Sequence, residues 1–263
     1  MRIGIALSLV LVLSGLATAD DKDDIAKAAK KTAESESYAF KMVTEIEGSP
    51  MPIDPIEFAG KFQKDVATSI SGSIPIPMQG GSQDIEIYKK GDKVVTKNQN
   101  GEWQLAGAGG RGGRGGMGMG QLTRNLKAPH EELADVDKKF EEIKKKDAKE
   151  TADGKECTVY EGKLTEDAAK DILPGGMGRM LAGMGEIAGT AKVLIDADGV
   201  IRKYVFVSEI KASIQGNELE ITTTRSVSLT DIGSTKLEVP EEVKKLLEEK
   251  KEEPKKEEKK QDE

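Results

Sequence analysis

Few residues in this chain have the chemistry for catalysis. There is one histidine, His130, and one cysteine, Cys157. A thiol acts as a nucleophile when a base or a positive neighbour holds it as thiolate, and Cys157 has no histidine near it in sequence. It sits in ECTVY (156–160), a strand-like run in which a buried thiol behaves as a small hydrophobe. His130, in KAPHEEL (127–133), stands at a helix start and reads as a surface or capping residue rather than a base. Asp196 and Asp198 flank a predicted turn at Asp198-Gly199, where aspartate is favoured for turn chemistry alone. The sequence therefore offers no catalytic set and calls for no cofactor and no metal.

Three other features have binding chemistry. Arg225, in LEITTTRSVSL (219–229), shares an alternating face with Ile221, Thr223 and Val227. Facing inward, its guanidinium needs a carboxylate, a phosphate or the polar head of a ligand; a one-residue bulge turns it outward instead. Methionines gather in two places, Met117 and Met119 in GAGGRGGRGGMGMG (107–120) and Met177, Met180 and Met184 in GGMGRMLAGMGE (175–186). Thioethers ligate Cu(I), but they also make an adaptable apolar lid, and no histidine supports the metal in either segment. Arg111 and Arg114 form two RGG triplets. Single-strand binding by such runs needs repetition and interspersed aromatics, whereas the nearest aromatic is Trp103 and the chain carries a net charge of −7. Nucleic acid is excluded as a partner, and 106–120 reads as a flexible hinge or flap.

The elements that position these residues alternate mainly with a period of two. Before them, Arg2 and the apolar run Ile3–Leu13 lead to Ala17-Thr18-Ala19, a small-x-small cleavage site. The run is too short to span a bilayer, so residues 1–19 read as a signal peptide and the mature chain as exported, periplasmic or extracellular, with no transmembrane segment. Asp23-Asp24 and IAKAAKKTA predict a first helix with Ile25, Ala28, Ala29 and Thr32 along one side. Strands follow in SYAFKMVTEIEG, PIEFAGKF, VATSIS, DIEIYKKGDKVVTK and ECTVYEGKL, with hairpin turns at Gly91-Asp92 and Asp153-Gly154. Residues 190–229 hold three longer strand-like runs broken at Asp198-Gly199 and Gly216-Asn217.

Helices are expected in LTRNLKAP, in HEELADVDKKFEEI up to a strand near Phe140, in TEDAAKDIL with Thr165 as its cap, weakly over 177–188, and in PEEVKKLLEE. Beyond Leu247 no apolar residue remains, and 248–263 reads as a charged, disordered tail. Residues 20–247 are expected to form one domain.

The phrases SYAFKMVTEIEG, DIEIYKKGDKVVTKNQNGEWQL, GKECTVYEGKLTEDAAKDIL, LIDADGVIRKYVF and DIGSTKLEVPEEVKKLL, in that order, resemble the LolA-like superfamily, including the LppX/LprG-type lipid-binding lipoproteins. The resemblance implies an α+β fold, an open half-barrel of curved antiparallel sheet with helices covering its concave face. It also implies a non-enzymatic carrier of a lipid, an acylated protein or another apolar ligand. Tyr38, Phe40, Met42, Phe58, Phe62, Ile85, Ile87, Tyr204, Phe206, Ile210, Leu219 and Ile221 would line the concavity, with Arg225 as a polar head-group contact. The alternative is an envelope interaction protein in which the same residues fill an ordinary core. The chain departs from the lipoprotein members in having Asp20, not cysteine, after the cleavage site.

Overall fold

In a computed structural model, which describes residues 18–49, 53–76, 81–98, 100–106, 126–173, 185–214 and 217–248, eleven strands form one antiparallel sheet. The first part of the chain supplies β1 (Ser37–Glu47), β2 (Ile56–Gln63), β3 (Ala67–Ile76), β4 (Gly81–Lys90), β5 (Lys93–Lys97) and β6 (Trp103–Leu105). The second supplies β7 (Phe140–Ala152), β8 (Lys155–Leu164), β9 (Gly185–Asp196), β10 (Ile201–Ile214) and β11 (Asn217–Thr230). The order β6-β5-β4-β3-β2-β1-β11-β10-β9-β8-β7 joins two meanders where the first strand pairs with the last. The α+β class expected from the sequence is the class observed.

Turn chemistry sets the hairpins. Asp153 and Gly154 both have positive φ, 50° and 69°, the backbone that a two-residue turn between twisted strands requires. The edges differ in how they are blunted. β6 is three residues long, and β7, with the sequence FEEIKKKDAKETA, exposes a charged row beyond Ile143 and shifts register between Lys145 and Lys149. Short strands, lysines and bulges all discourage edge-to-edge pairing.

Among the described residues five helical pieces accompany the sheet: α1 (Thr18–Ala33), α2 (Pro129–Glu132), a 3-10 turn (Val136–Lys139), α3 (Glu166–Ile172) and α4 (Glu241–Glu248). α1 buries Ile25, Ala28 and Ala29 in the main core, and its Thr32 hydroxyl accepts the Ile201 N–H. The Lys22 ammonium donates to the Phe140 carbonyl at 2.7 Å, which ties α1 to β7. Thr165 caps α3 as expected, accepting the Ala168 N–H, and Ala168, Ala169 and Ile172 face the sheet. Beneath α3, a Cβ on Gly189 would lie 2.8 Å from the Ala169 Cβ, so glycine there permits the close approach of helix and strand.

The closing helix takes the other side. Val243 and Leu247 pack with Tyr88 and Val95, whereas Ile87 belongs to the main core. Successive strand residues point to opposite faces, so α4 lies on the face away from α1, α2 and α3.

Three helix predictions differ from the structure where it describes them. HEELADVDKKFEEI is helical only over Pro129–Glu132 and in the 3-10 turn, because Asp135 adopts a left-handed φ of 52°. Residues 126–128, the end of LTRNLKAP, are not helical. Of the weak helix over 177–188, the described part, 185–188, is strand: Gly185 pairs with Ala212 and Ala188 with Glu209. Pairing with a fourteen-residue strand outweighs the poor helical propensity of a glycine-rich segment. The signal segment up to residue 17, the hinge over 107–120 with Met117 and Met119, the second methionine group Met177, Met180 and Met184, and the tail after Glu248 lie outside the described residues.

Candidate functional site

Strand register gathers all twelve expected lining residues on one face. Phe58, Met42, Val227 and Tyr204 form one row across β2, β1, β11 and β10, and Ile87, Ile70, Gly60, Phe40 and Leu229 another. Ten of the twelve are buried, and Phe62 and Leu219 are half-buried. The aromatic members touch: Tyr38 and Phe62 have ring centroids 5.0 Å apart, Tyr204 and Phe206 5.1 Å. Such alternation is what a strand with one covered face requires.

What covers the middle of this face is unusual in its chemistry. α2 is one turn long and carries three polar residues in succession, each attached to a different part of the sheet. Tyr38 of β1 places its hydroxyl 2.7 Å from His130 Nδ1, and the same oxygen accepts the His130 backbone N–H at 3.2 Å. Which of the two donates is set by the imidazole tautomer, and either way the contact joins α2 to β1. Burial pulls the His130 imidazole below its ordinary range, consistent with the neutral ring, and pushes the Tyr38 phenol well above its own. Lys89 of β4 donates to Glu131 Oε2 at 2.6 Å and to the Leu126 carbonyl at 3.1 Å, while the Ala128 N–H also donates to Glu131. Tyr204 of β10 donates to Glu132 Oε2 at 2.7 Å, and Arg225 of β11 sets Nε 3.1 Å from Glu132 Oε1.

Two neighbouring glutamates thus reach β4 on one side and β10 on the other. Those strands are five steps apart in the sheet, about 24 Å if it were flat. The sheet wraps around α2, and its covered face is the concave one.

Arg225 faces inward, in register with Thr44 and Phe206, and no bulge turns it away. Its Nε is within ion-pair distance of Glu132 but is not aligned as a hydrogen bond, and its Nη2 lies 3.6 Å from the Met42 sulfur. Next along the strands, Ser208 and Thr223 are paired, fully buried and, among the described residues, without a hydrogen-bond partner for either hydroxyl. Beyond them Ile210, Ala212 and Ile221 form an apolar end with Leu173, Ile46, Ile187 and Leu219.

No family model matches the chain, and no curated protein matches its sequence. Among solved structures it is similar to LprF from Mycobacterium bovis, 13% identical, with 86% of this chain and 98% of that one covered at a TM-score of 0.49. It is also similar to a LolA superfamily protein from Nitrosomonas europaea, 10% identical, with 84% and 95% covered at a TM-score of 0.33. Both structural matches span most of the chain.

The remaining sequence candidates have structural surroundings. Cys157 is buried with Val159 and Leu194 on the face away from α2, and burial pushes its thiol up. Asp196 is more than a turn residue: it accepts the Arg202 Nε–H at 2.6 Å and the Val200 N–H at 3.0 Å. His130 is half-buried and, rather than capping the helix, fastens α2 to Tyr38. Glu132 and Tyr204, central to the site, had no signal as polar partners in the sequence, because one looked like a helix surface residue and the other like core. Among the described residues no group of three or more His, Cys, Asp or Glu is placed to hold a metal ion, and no helix is long and apolar enough to cross a membrane.

Proposed function

We propose that the protein is a non-enzymatic exported carrier or sensor that holds an apolar ligand, a lipid or an acylated protein, between its concave sheet face and the helices over it. The observation that carries this reading is the fastening of α2. A cover that only completed a core would present apolar side chains; α2 instead turns His130, Glu131 and Glu132 toward four strands. Polar attachments of this kind exchange for water as the cover lifts, whereas the aliphatic and aromatic side chains beneath gain by meeting an apolar ligand. Arg225 lies at the border between the two, where a ligand's polar part would come to rest.

A second reading, an envelope interaction protein with a filled core, is favoured by the Gly189–Ala169 contact and the small residues of α1, which close the β7–β9 side tightly. Native mass spectrometry of protein purified from its own host, followed by organic extraction, separates the two. Copurified lipid supports the carrier. A bare chain mass, together with no uptake of added lipid, establishes the filled core.

A further inference from the structure

Three donors in the middle of the concave face lack a good acceptor. Ser208 and Thr223 are 0% exposed, directly paired across β10 and β11, and among the described residues neither hydroxyl has a hydrogen-bond partner. One row away, on the same face, Arg225 Nε is also without an aligned acceptor. Orphaned buried hydroxyls are uncommon because each forfeits its bond to water on folding. Two adjacent ones beside a guanidinium mark a place built for a group that the protein itself does not supply.

The chemistry of that group follows from the donors. A hydroxyl donates or accepts, but a guanidinium only donates, so a single group serving all three is an acceptor. It is neutral, because Glu132 already balances Arg225 at 3.1 Å and also holds the Tyr204 hydroxyl. A carboxylate would have to displace a glutamate whose side chain is 9% exposed and doubly engaged. The surroundings add direction. From Ser208 to Ala212 the strand runs on for about 14 Å along an apolar face, past Ile210 and Ile221 to Leu219, with Leu173 packed over it. We infer that Ser208, Thr223 and Arg225 form a subsite for the carbonyl of an acyl linkage, an ester or amide, with its hydrocarbon chain lying toward Ile210 and Leu219.

This subsite rests on the carrier reading; among the described residues, Glu132 of α2 meets Arg225 and Leu173 packs over the apolar end. The test pits an ester against an ether. Dioleoylglycerol and its dioleyl ether analogue, in detergent micelles, compete for a pyrene-tagged alkane bound to the purified protein. The ester is expected to compete about five- to tenfold better, the effect of one to two well-placed hydrogen bonds. The double variant Ser208→Ala, Thr223→Val is expected to bind the ether as before and lose the preference. Its thermal midpoint should stay level or rise, since two unpaired buried hydroxyls are gone. Equal competition by ester and ether in the unaltered protein, the result expected if the hydroxyls merely hold a water, overturns the subsite and leaves the carrier standing. A preference retained in the double variant overturns it too. No binding of the pyrene alkane or of either lipid ends both readings.

Discussion

Two arginines on opposite faces of one sheet, Arg202 buried and Arg225 partly so, do different work. Arg202, on the face away from α2, donates to Asp196 at 2.6 Å and reaches Asp153 at 3.3 Å, with both central side chains almost wholly buried. Asp196 also accepts the Val200 N–H, so its two oxygens are engaged within one hairpin. Arg225, on the concave face, meets a glutamate from α2, far away in the chain, and its Nε is near but not aligned. The first pair closes a local turn and is saturated; the second joins a cover to a sheet and is left partly unsatisfied. Burial alone does not make an ion pair a staple; saturation of its hydrogen bonds does.

Breaking each pair in turn tests this contrast. Arg202→Met leaves the buried Asp196 with the Val200 N–H and, for charge, only the more distant Lys155 ammonium at 3.7 Å, and should cost about 3 kcal/mol in denaturant unfolding. A loss no greater than that of a surface variant would show that the hairpin does not depend on it. Arg225→Met should cost less, about 1–2 kcal/mol, because Tyr204 still donates to Glu132. Its clearer signature is local: amide exchange over 126–133 should quicken while β10 stays protected. If exchange quickens equally throughout, the pair is a global staple and the contrast fails.

Acid should loosen the same cover by a third route. Burial, aided by Lys89 and opposed by Glu131, holds His130 below its usual 6.5. As pH falls the unfolded chain takes up this proton first, so the contribution is complete above about 6.5 and declines as pH drops below it toward the folded-state value. The unfolding midpoint should therefore fall modestly from pH 7.5 to 5.5, and His130→Gln should flatten that slope. A slope unchanged by the substitution would remove His130 from the fastening. The smallest effect is expected on the outer face, where Lys41 and Glu57 pair at 2.7 Å with more than half of each side chain exposed. Lys41→Met should change stability by about 0.5 kcal/mol or less, and that little only at low salt.

How much of this was legible beforehand depended on whether the signal was local. Alternation in SYAFKMVTEIE placed Tyr38, Phe40 and Met42 on one face, and the structure buries all three. Asp153-Gly154 marked its hairpin because that turn needs positive φ. Strand β7 was visible only near Phe140, since FEEIKKKDAKETA buries so little that its pattern carries no period. Arg225 was seen as a residue in need of a partner, but Glu132 could not be named, because nothing in HEEL distinguishes a surface glutamate from one that dips into the core. The same holds for Asp196, whose partner Arg202 lies only a turn away but on the far side of the Asp198-Gly199 hairpin.

By itself the sequence determined the sheet-forming faces, the turns and the scarcity of catalytic groups, because period, turn geometry and residue type act within a few positions. Only the tertiary structure decided that β1 pairs with β11, that the curved sheet closes around α2, and that Ser208 and Thr223 pair one row from Arg225 on its covered face. Those contacts join residues that lie far apart in the chain, and strand register fixes them where composition does not.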